Sequence, residues 1–278
     1  MTSRDPRPSA EPGFFDRGGL RLAYTEAGAG EPTLLLLHGL ADSRAAWSQV
    51  LPALAARRRV LLYDQRGHGA SDHLGAAHDY TLDALTRDLE QFTLDRCPDR
   101  FDLVGHSMGG VVALRFALEH PQRLRSLALV SATAQAHTAI PAPILAKLAS
   151  VARAGGSGAL ARFMEVLNPG AQPRYRGRMR ADVTAMDIEA FLELSAELGR
   201  YPSLLDRLPE LKLPVTLVVG EHDRLSRAGA VLMESAIPDA ELRIVAGTGH
   251  SPHEQDPEAW IAILESHLAA SESVSAGS

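Results

Sequence analysis

The stretch "GHSMG" (105–109) sets one serine between two glycines, with an apolar run before it and another after it. Two readings fit that spacing. Ser107 can belong to an ordinary Gly-rich turn between a strand and a helix, or it can be a nucleophile raised on a sharp turn. The second reading needs residues without side chains two before and two after the serine, and Gly105 and Gly109 meet that need. It also puts Ser107 at a helix N-terminus, where free N–H groups and the helix dipole favour a developing oxyanion. A serine hydroxyl is a poor nucleophile at neutral pH. It needs a base to take its proton and a carboxylate to orient that base. Downstream, Glu221, His222 and Asp223 adjoin in "GEHD", while His250 and His253 lie in "GTGHSPH". His106 is adjacent to the serine, but successive residues in a turn point apart, which predicts a structural role.

The elements that must position these groups can be read from periodicity. Strands are predicted over 20–26, 33–39, 59–64, 101–106, 126–132, 215–220 and 241–247. Several are apolar on both faces, as parallel strands covered by helices on each side should be. The first alternates more and suits an edge antiparallel hairpin. Leu82, Leu85, Leu89 and Phe92 share one helical face, residues 108–118 form a buried helix, and a last helix runs from about Pro257 to His267. This alternation predicts an α/β fold with a doubly wound, mostly parallel sheet. Ser107, the "GEHD" carboxylates and the "GTGHSPH" histidines would all follow strands at the carboxyl edge, where open α/β sheets bind ligands.

The alternation breaks between about Ala134 and Leu211. Successive helical faces (Ile144, Leu148, Val151; then Leu160, Phe163, Met164, Leu167; then Ile188, Phe191, Leu192, Ser195) imply a helical insertion. The predicted organisation is a core of 14–133 and 211–270, an insertion over 134–210, and disordered tails at 1–13 and 271–278.

Composition sets further bounds. Across 278 residues, 45% are hydrophobic and 22% charged, which allows a large core. The net charge is −6 with no long basic block, arguing against nucleic acid as a partner. Cys97 is the sole cysteine, so no intramolecular disulfide can form. No apolar run approaches the roughly 20 residues that span a bilayer. The proline-rich N-terminus lacks the apolar core of a signal peptide, so a soluble cytoplasmic protein is expected.

Five stretches, "LLLLHGL" (34–40), "LYDQRGHGASD" (62–72), "LVGHSMGG" (103–110), "VVGEHDRLS" (218–226) and "GTGHSPHEQDPE" (247–258), together resemble the α/β-hydrolase superfamily. They are most similar to its capped esterase, lactonase and cofactor-free haloperoxidase-like branch. The resemblance implies the α/β-hydrolase fold, with residues 134–210 as a helical cap domain. It implies a catalytic triad of Ser107, Asp223 and His250, with Asp223 rather than Glu221 as the acid and His253 as a packing residue. The oxyanion hole would combine the N–H of Met108, the residue after the nucleophile, with that of Leu40. "DQRGHGASD" reads as architecture, in which Asp64, Arg66 and Ser71 tie neighbouring loops. Phe163, Met164, Phe191 and Leu192 are candidates for the substrate pocket. The arginines of "RYRGRMR" (174–180) could attract anionic substrates or simply face solvent, and Arg57–Arg59 read as a solvated run.

The function expected from these residues is hydrolysis of a small to medium carboxylic ester through an acyl-serine, with no metal and no organic cofactor. Lactone opening, hydrolytic C–C cleavage and haloperoxidase-like perhydrolysis would use the same triad. His106, where the resembling C–C hydrolases usually carry Asn, leans towards esterases and lactonases. A non-catalytic, ligand-binding protein of this fold is the alternative of another class. A small-molecule ester or lactone is the expected partner, with neither nucleic acid nor membrane. The oligomeric state stays open.

Overall fold

The computed structural model describes residues 11–75, 79–136, 142–167 and 173–275. Eight strands form one sheet: β1 (Glu11–Arg17), β2 (Leu20–Ala27), β3 (Leu34–Leu37), β4 (Val60–Tyr63), β5 (Phe101–His106), β6 (Leu124–Val130), β7 (Val215–Gly220) and β8 (Ala240–Val245). Their order is β1-β2-β4-β3-β5-β6-β7-β8. β1 and β2 are antiparallel to their neighbours, and all pairings from β4 to β8 are parallel.

Apolar residues on both sides of the central strands explain the layering. Side chains alternate across a strand. Leu35, Leu37, Leu61, Tyr63 and Leu103 therefore enter one core, and Leu34, Leu36, Val60, Leu62 and Val104 enter the other. Burying each such leucine contributes about 2 kcal/mol. On the first face pack α2 (Leu82–Arg96), through Leu82, Leu85, Leu89 and Phe92, and α3 (Met108–Glu119), through Val111, Val112 and Phe116. The second face is covered by α1 (Leu51–Ala55) and α9 (Pro257–Ser275), with Leu54, Trp260, Leu264 and Leu268 buried. The short α8 (Pro252–Gln255) precedes α9, and α7 (Arg224–Ala236) joins β7 to β8.

Between β6 and β7 the described residues hold α4 (Ala142–Leu167), α5 (Pro173–Thr184) and α6 (Ile188–Leu198), with no strand among them. A kink at Gly156, with φ 71°, divides α4. The expected faces enter the first core: Leu148, Leu160 and Phe191 are buried, with Phe163, Met164, Ile188 and Leu192 packed against them. The side chains of Ile144 and Leu167, also expected on those faces, lie outside the described residues.

Order extends further at each end than the sequence predicts. Glu11–Gly13 are not a disordered tail but pair with Tyr24–Glu26 as the start of β1. Strand geometry there is stabilised by the ladder rather than by local apolar content. Residues 271–275 continue α9, because Leu268 and Ser271 are buried where the helix lies on the sheet. Residues 1–10 and 276–278 of the predicted tails lie outside the described residues. The basic run at 57–59 is solvated only in part. Arg58 bonds Glu265 and Arg59 bonds Glu26 and the Arg96 carbonyl, leaving Arg57 as the exposed member.

Five buried histidines give the fold a pH dependence of definite sign. Burial lowers His38 to about 4, His68 to about 3 and His267 to about 4, and it also lowers His106 and His253. Each is neutral in the folded state and takes up a proton on unfolding below its ordinary value near 6.5. Their stabilisation is present above that value and is lost as pH falls. Burial raises Glu254 to about 7 and Asp182 to about 6 and also raises Asp102 and Glu197, which opposes the trend, but these four carboxyls do not offset five histidines. The melting temperature is expected to fall steadily from pH 7 to pH 5 in calorimetric scans. A flat or rising profile would contradict it.

Candidate active site

The parallel pairing of β3 with β5 (Leu37 opposite Gly105) brings the loops after these strands to one point of the carboxyl edge. The chain turns abruptly from β5 into α3 at Ser107, with φ 50° and ψ −117°. A serine in such a region costs of order 1–3 kcal/mol and persists only where its surroundings hold it. The Ser107 N–H donates to the Val130 carbonyl at 2.8 Å, fixing the turn to β6. Close approach explains the glycines. A Cβ on Gly105 would lie 2.4 Å from the Gly109 carbonyl oxygen, and one on Gly109 would lie 2.4 Å from that of His38.

Asp223 and His250 follow β7 and β8 and meet at this point. His250 Nδ1 lies 2.7 Å from Asp223 Oδ2, and His250 Nε2 lies 3.0 Å from Ser107 Oγ. Gly220 permits the two loops to meet, since a Cβ there would fall 2.1 Å from the Gly249 carbonyl oxygen. Burial would raise the Asp223 carboxyl, but the His250 hydrogen bond and charge, with two bonds from Ser226, hold it well below the usual carboxylate range. An ionised Asp223 accepts the Nδ1 proton, which leaves the Nε2 lone pair facing the serine hydroxyl. The arrangement can abstract the hydroxyl proton as the oxygen attacks.

The neighbouring candidates are occupied elsewhere. Glu221 accepts the Gly247 N–H at 2.8 Å, tying the two loops. His106 Nε2 donates to the His250 carbonyl at 2.9 Å, so it supports the histidine from its main-chain side. His253 is fully buried, 4.3 Å from Trp47 and 4.7 Å from His106 between ring centroids. Met108 begins α3, so its N–H has no acceptor within the helix. A Cβ on Gly39 would lie 3.3 Å from Ser107 Cβ, which sets the main chain leading into Leu40 beside the nucleophile. His38 shapes this loop. Its Nε2 accepts the Gln65 N–H at 2.9 Å, so Nδ1 carries the proton and donates to the Gly39 carbonyl at 2.8 Å.

The remaining sequence motifs resolve as scaffold. Asp64 accepts the Arg44 and Ala70 N–H groups, Ser71 Oγ donates to the Asp64 carbonyl, and Arg66 pairs with Asp88. Cys97 is buried, and burial pushes its thiol up to about 12, so it stays protonated. Phe191 is fully buried, whereas Phe163, Met164 and Leu192 are half-buried. Among the described residues no group of three or more His, Cys, Asp or Glu is arranged to hold a metal ion, and no helix is long and apolar enough to cross a membrane.

"RYRGRMR" divides rather than forming one face. Arg180 pairs with Glu165 at the surface. Arg178 turns inward, with its guanidinium among Asp42, Asp182 and Glu254. The Arg174 side chain lies outside the described residues. Asp42, Arg178 and Glu254 escaped the sequence reading because they are far apart in the chain. The i,i+4 spacing of Arg178 and Asp182 was the one local signal.

Residues 32–186 match the alpha/beta hydrolase fold family. The chain belongs to that family. A pimeloyl-[acyl-carrier protein] methyl ester esterase of Edwardsiella ictaluri is 31% identical over 253 residues, covering 87% of this chain and 95% of its own. An uncharacterised protein of Mycobacterium tuberculosis is 32% identical over 273 residues, covering 89% and 78%. The crystal structure of a hydrolase from Pseudomonas aeruginosa superposes with a TM-score of 0.81 at 28% identity, covering 92% of this chain and 98% of that one. Hydrolases and esterases are thus among the chain's relatives, and the eight-stranded, mostly parallel sheet with its flanking helices is their fold.

Proposed function

We propose that this protein is a serine hydrolase that cleaves small to medium carboxylic esters by acyl transfer through Ser107. The observation that carries the reading is the unbroken chain from Asp223 Oδ2 to His250 Nδ1 at 2.7 Å and from His250 Nε2 to Ser107 Oγ at 3.0 Å. Ser107 Oγ bonds to the ester carbonyl carbon while its proton passes to His250 Nε2. The carbonyl oxygen becomes an oxyanion held by the N–H groups of Met108 and Leu40; one such donor is typically worth about 3 kcal/mol in the transition state. The C–O bond to the alcohol then breaks, and His250 returns the proton to the leaving oxygen. Water, deprotonated by the same histidine, then attacks the acyl carbon; the C–Oγ bond breaks, His250 returns the proton to Ser107 Oγ, and the acid leaves. Asp223 keeps the imidazole in the required tautomer and stabilises its protonated form. The E. ictaluri relative, named as a methyl ester esterase, supports an ester as the target bond.

In this reading residues 134–210 act as a cap over the pocket, and the half-buried Phe163, Met164 and Leu192 contact the substrate. Phe191 is fully buried in the first core. The protein works on a small molecule in the cytoplasm, without metal or cofactor. The test is a panel of p-nitrophenyl esters from acetate to decanoate, with fluorophosphonate labelling of the intact protein. Ester turnover with a label on Ser107 supports the proposal, and the preferred chain length sizes the acyl pocket. A labelled serine without turnover on any ester redirects the search to lactones, C–C bonds or perhydrolysis. Neither labelling nor turnover leaves a ligand-binding role.

A further inference from the structure

Arg178 is charged, largely buried, and far in sequence from two of the three carboxylates it touches. Its Nη1 donates to Asp42 Oδ1 at 2.9 Å and also to Asp182, its Nη2 donates to Glu254 Oε2 at 2.7 Å, and its Nε lies 2.7 Å from Glu254 Oε1. The three partners belong to three segments. Asp42 is two residues past Leu40 on the loop after β3, Glu254 is four residues past His250, and Asp182 is one turn along α5. A further contact binds α5 to the loop after β3. Ser43 Oγ donates to Asp182 Oδ1 at 2.7 Å, and the Tyr175 ring of α5 lies 5.4 Å from the Arg178 guanidinium carbon.

Two features give this contact a consequence for the chemistry. Ala41, between Leu40 and Asp42, has φ 61°, a conformation that a residue with a side chain holds only under constraint. The bonds from α5 to Asp42 and Ser43, both just past Ala41, supply that constraint, and the Asp42 N–H donating to the Gly39 carbonyl at 3.4 Å closes the turn that contains Leu40. On the other arm, the Glu254 and Gln255 N–H groups both bond the Ser251 carbonyl, so the Glu254 anchor reaches the residue next to His250. A planar guanidinium can serve both carboxylates at once in fixed directions, and a lysine ammonium cannot.

We propose that Arg178 is a positioning residue: it holds the Leu40 loop and the His250 loop in register, so that docking of α5 completes the oxyanion hole. The inference rests on the serine-hydrolase reading above, and its loss should appear in the chemical step rather than in substrate affinity. Displacing a reacting group by about 1 Å can cost on the order of 100-fold.

The test compares wild type, Arg178→Met and Arg178→Lys in kcat and KM on the best p-nitrophenyl ester. Rates are expressed per serine labelled at the end-point by fluorophosphonate, with circular dichroism and melting temperature in parallel. The expected result is a kcat about 10- to 100-fold lower in Arg178→Met, with KM little changed and fluorophosphonate labelling slowed by a similar factor. Guanidinium ion added at concentrations that leave the wild type unaffected should partly restore that variant. Arg178→Lys should fold normally and still lose kcat. If Arg178→Met does not fold, Arg178→Lys carries the comparison. Unchanged kcat per labelled serine in a folded variant, whatever its melting temperature, reduces Arg178 to a structural tie and overturns the proposal. A wild type that is neither labelled nor active overturns the serine-hydrolase reading itself, and this inference with it.

Discussion

Ser107→Ala is expected to lose ester turnover by about four orders of magnitude or more while keeping its fold. The Ser107 hydroxyl makes its described hydrogen bond to His250 Nε2, and the residue is only half-buried, so deleting the oxygen leaves neither a core cavity nor a stranded partner. The Ser107 N–H and its Cβ are retained, and with them the tie to Val130. Ser107→Gly separates nucleophile from strain. It should be as inactive as the alanine variant but more stable than it, by about 1 kcal/mol, because glycine accepts φ 50° without steric cost. Initial rates on p-nitrophenyl esters and thermal melts check both. An alanine variant with wild-type rates would remove Ser107 from the chemistry.

Asp223→Asn should cost about 10⁴-fold in kcat with little effect on substrate affinity. An asparagine that offers its NH₂ to His250 Nδ1 favours the tautomer with the proton on Nε2. That nitrogen, 3.0 Å from Ser107 Oγ, would then donate to the serine instead of accepting from it. The geometry itself should survive, because Asp223 Oδ1 also accepts the Ser226 N–H at 3.3 Å to cap α7, and the asparagine side-chain oxygen can do the same. Since Asp223 is held below the usual carboxylate range, the wild-type carboxylate stays ionised across the neutral range. Loss of activity on mild acidification would therefore reflect groups other than this carboxyl. Steady-state kinetics from pH 6 to 9 check the prediction, and an Asn variant within tenfold of wild type would count against the assigned tautomer.

The parts legible in the sequence were those whose cause is local. Doubly apolar runs such as Leu34–Leu37 predict strands covered on both faces, and the two cores confirm the layering. The whole of β1 was illegible because "EPGFFDR" has no alternating apolar pattern of its own and becomes extended only by pairing with β2. Helix α7 likewise carries a weak signal: Leu225, Val231 and Leu232 are exposed, and its buried stripe is made of Ser226, Gly229 and Ala230 with Met233. The arginines of "RYRGRMR" could be counted but not placed. An alternating run on a helix points several ways, and only the docking of α5 directs Arg178 inward and Arg180 outward.

By itself the sequence determined the sheet-and-helix alternation, the helical insertion, and the strand ends that carry Ser107, the "GEHD" carboxylates and the "GTGHSPH" histidines. Periodicity and glycine spacing act over a few residues, and those features need nothing longer. Only the tertiary structure decided that Asp223, His250 and Ser107 come within hydrogen-bonding distance, and that Asp42 and Glu254 share one buried guanidinium. These contacts join residues more than a hundred positions apart in several cases. They exist because strand order in the sheet, which no local pattern encodes, sets β3 beside β5 and lets the loops after β7 and β8 close over them.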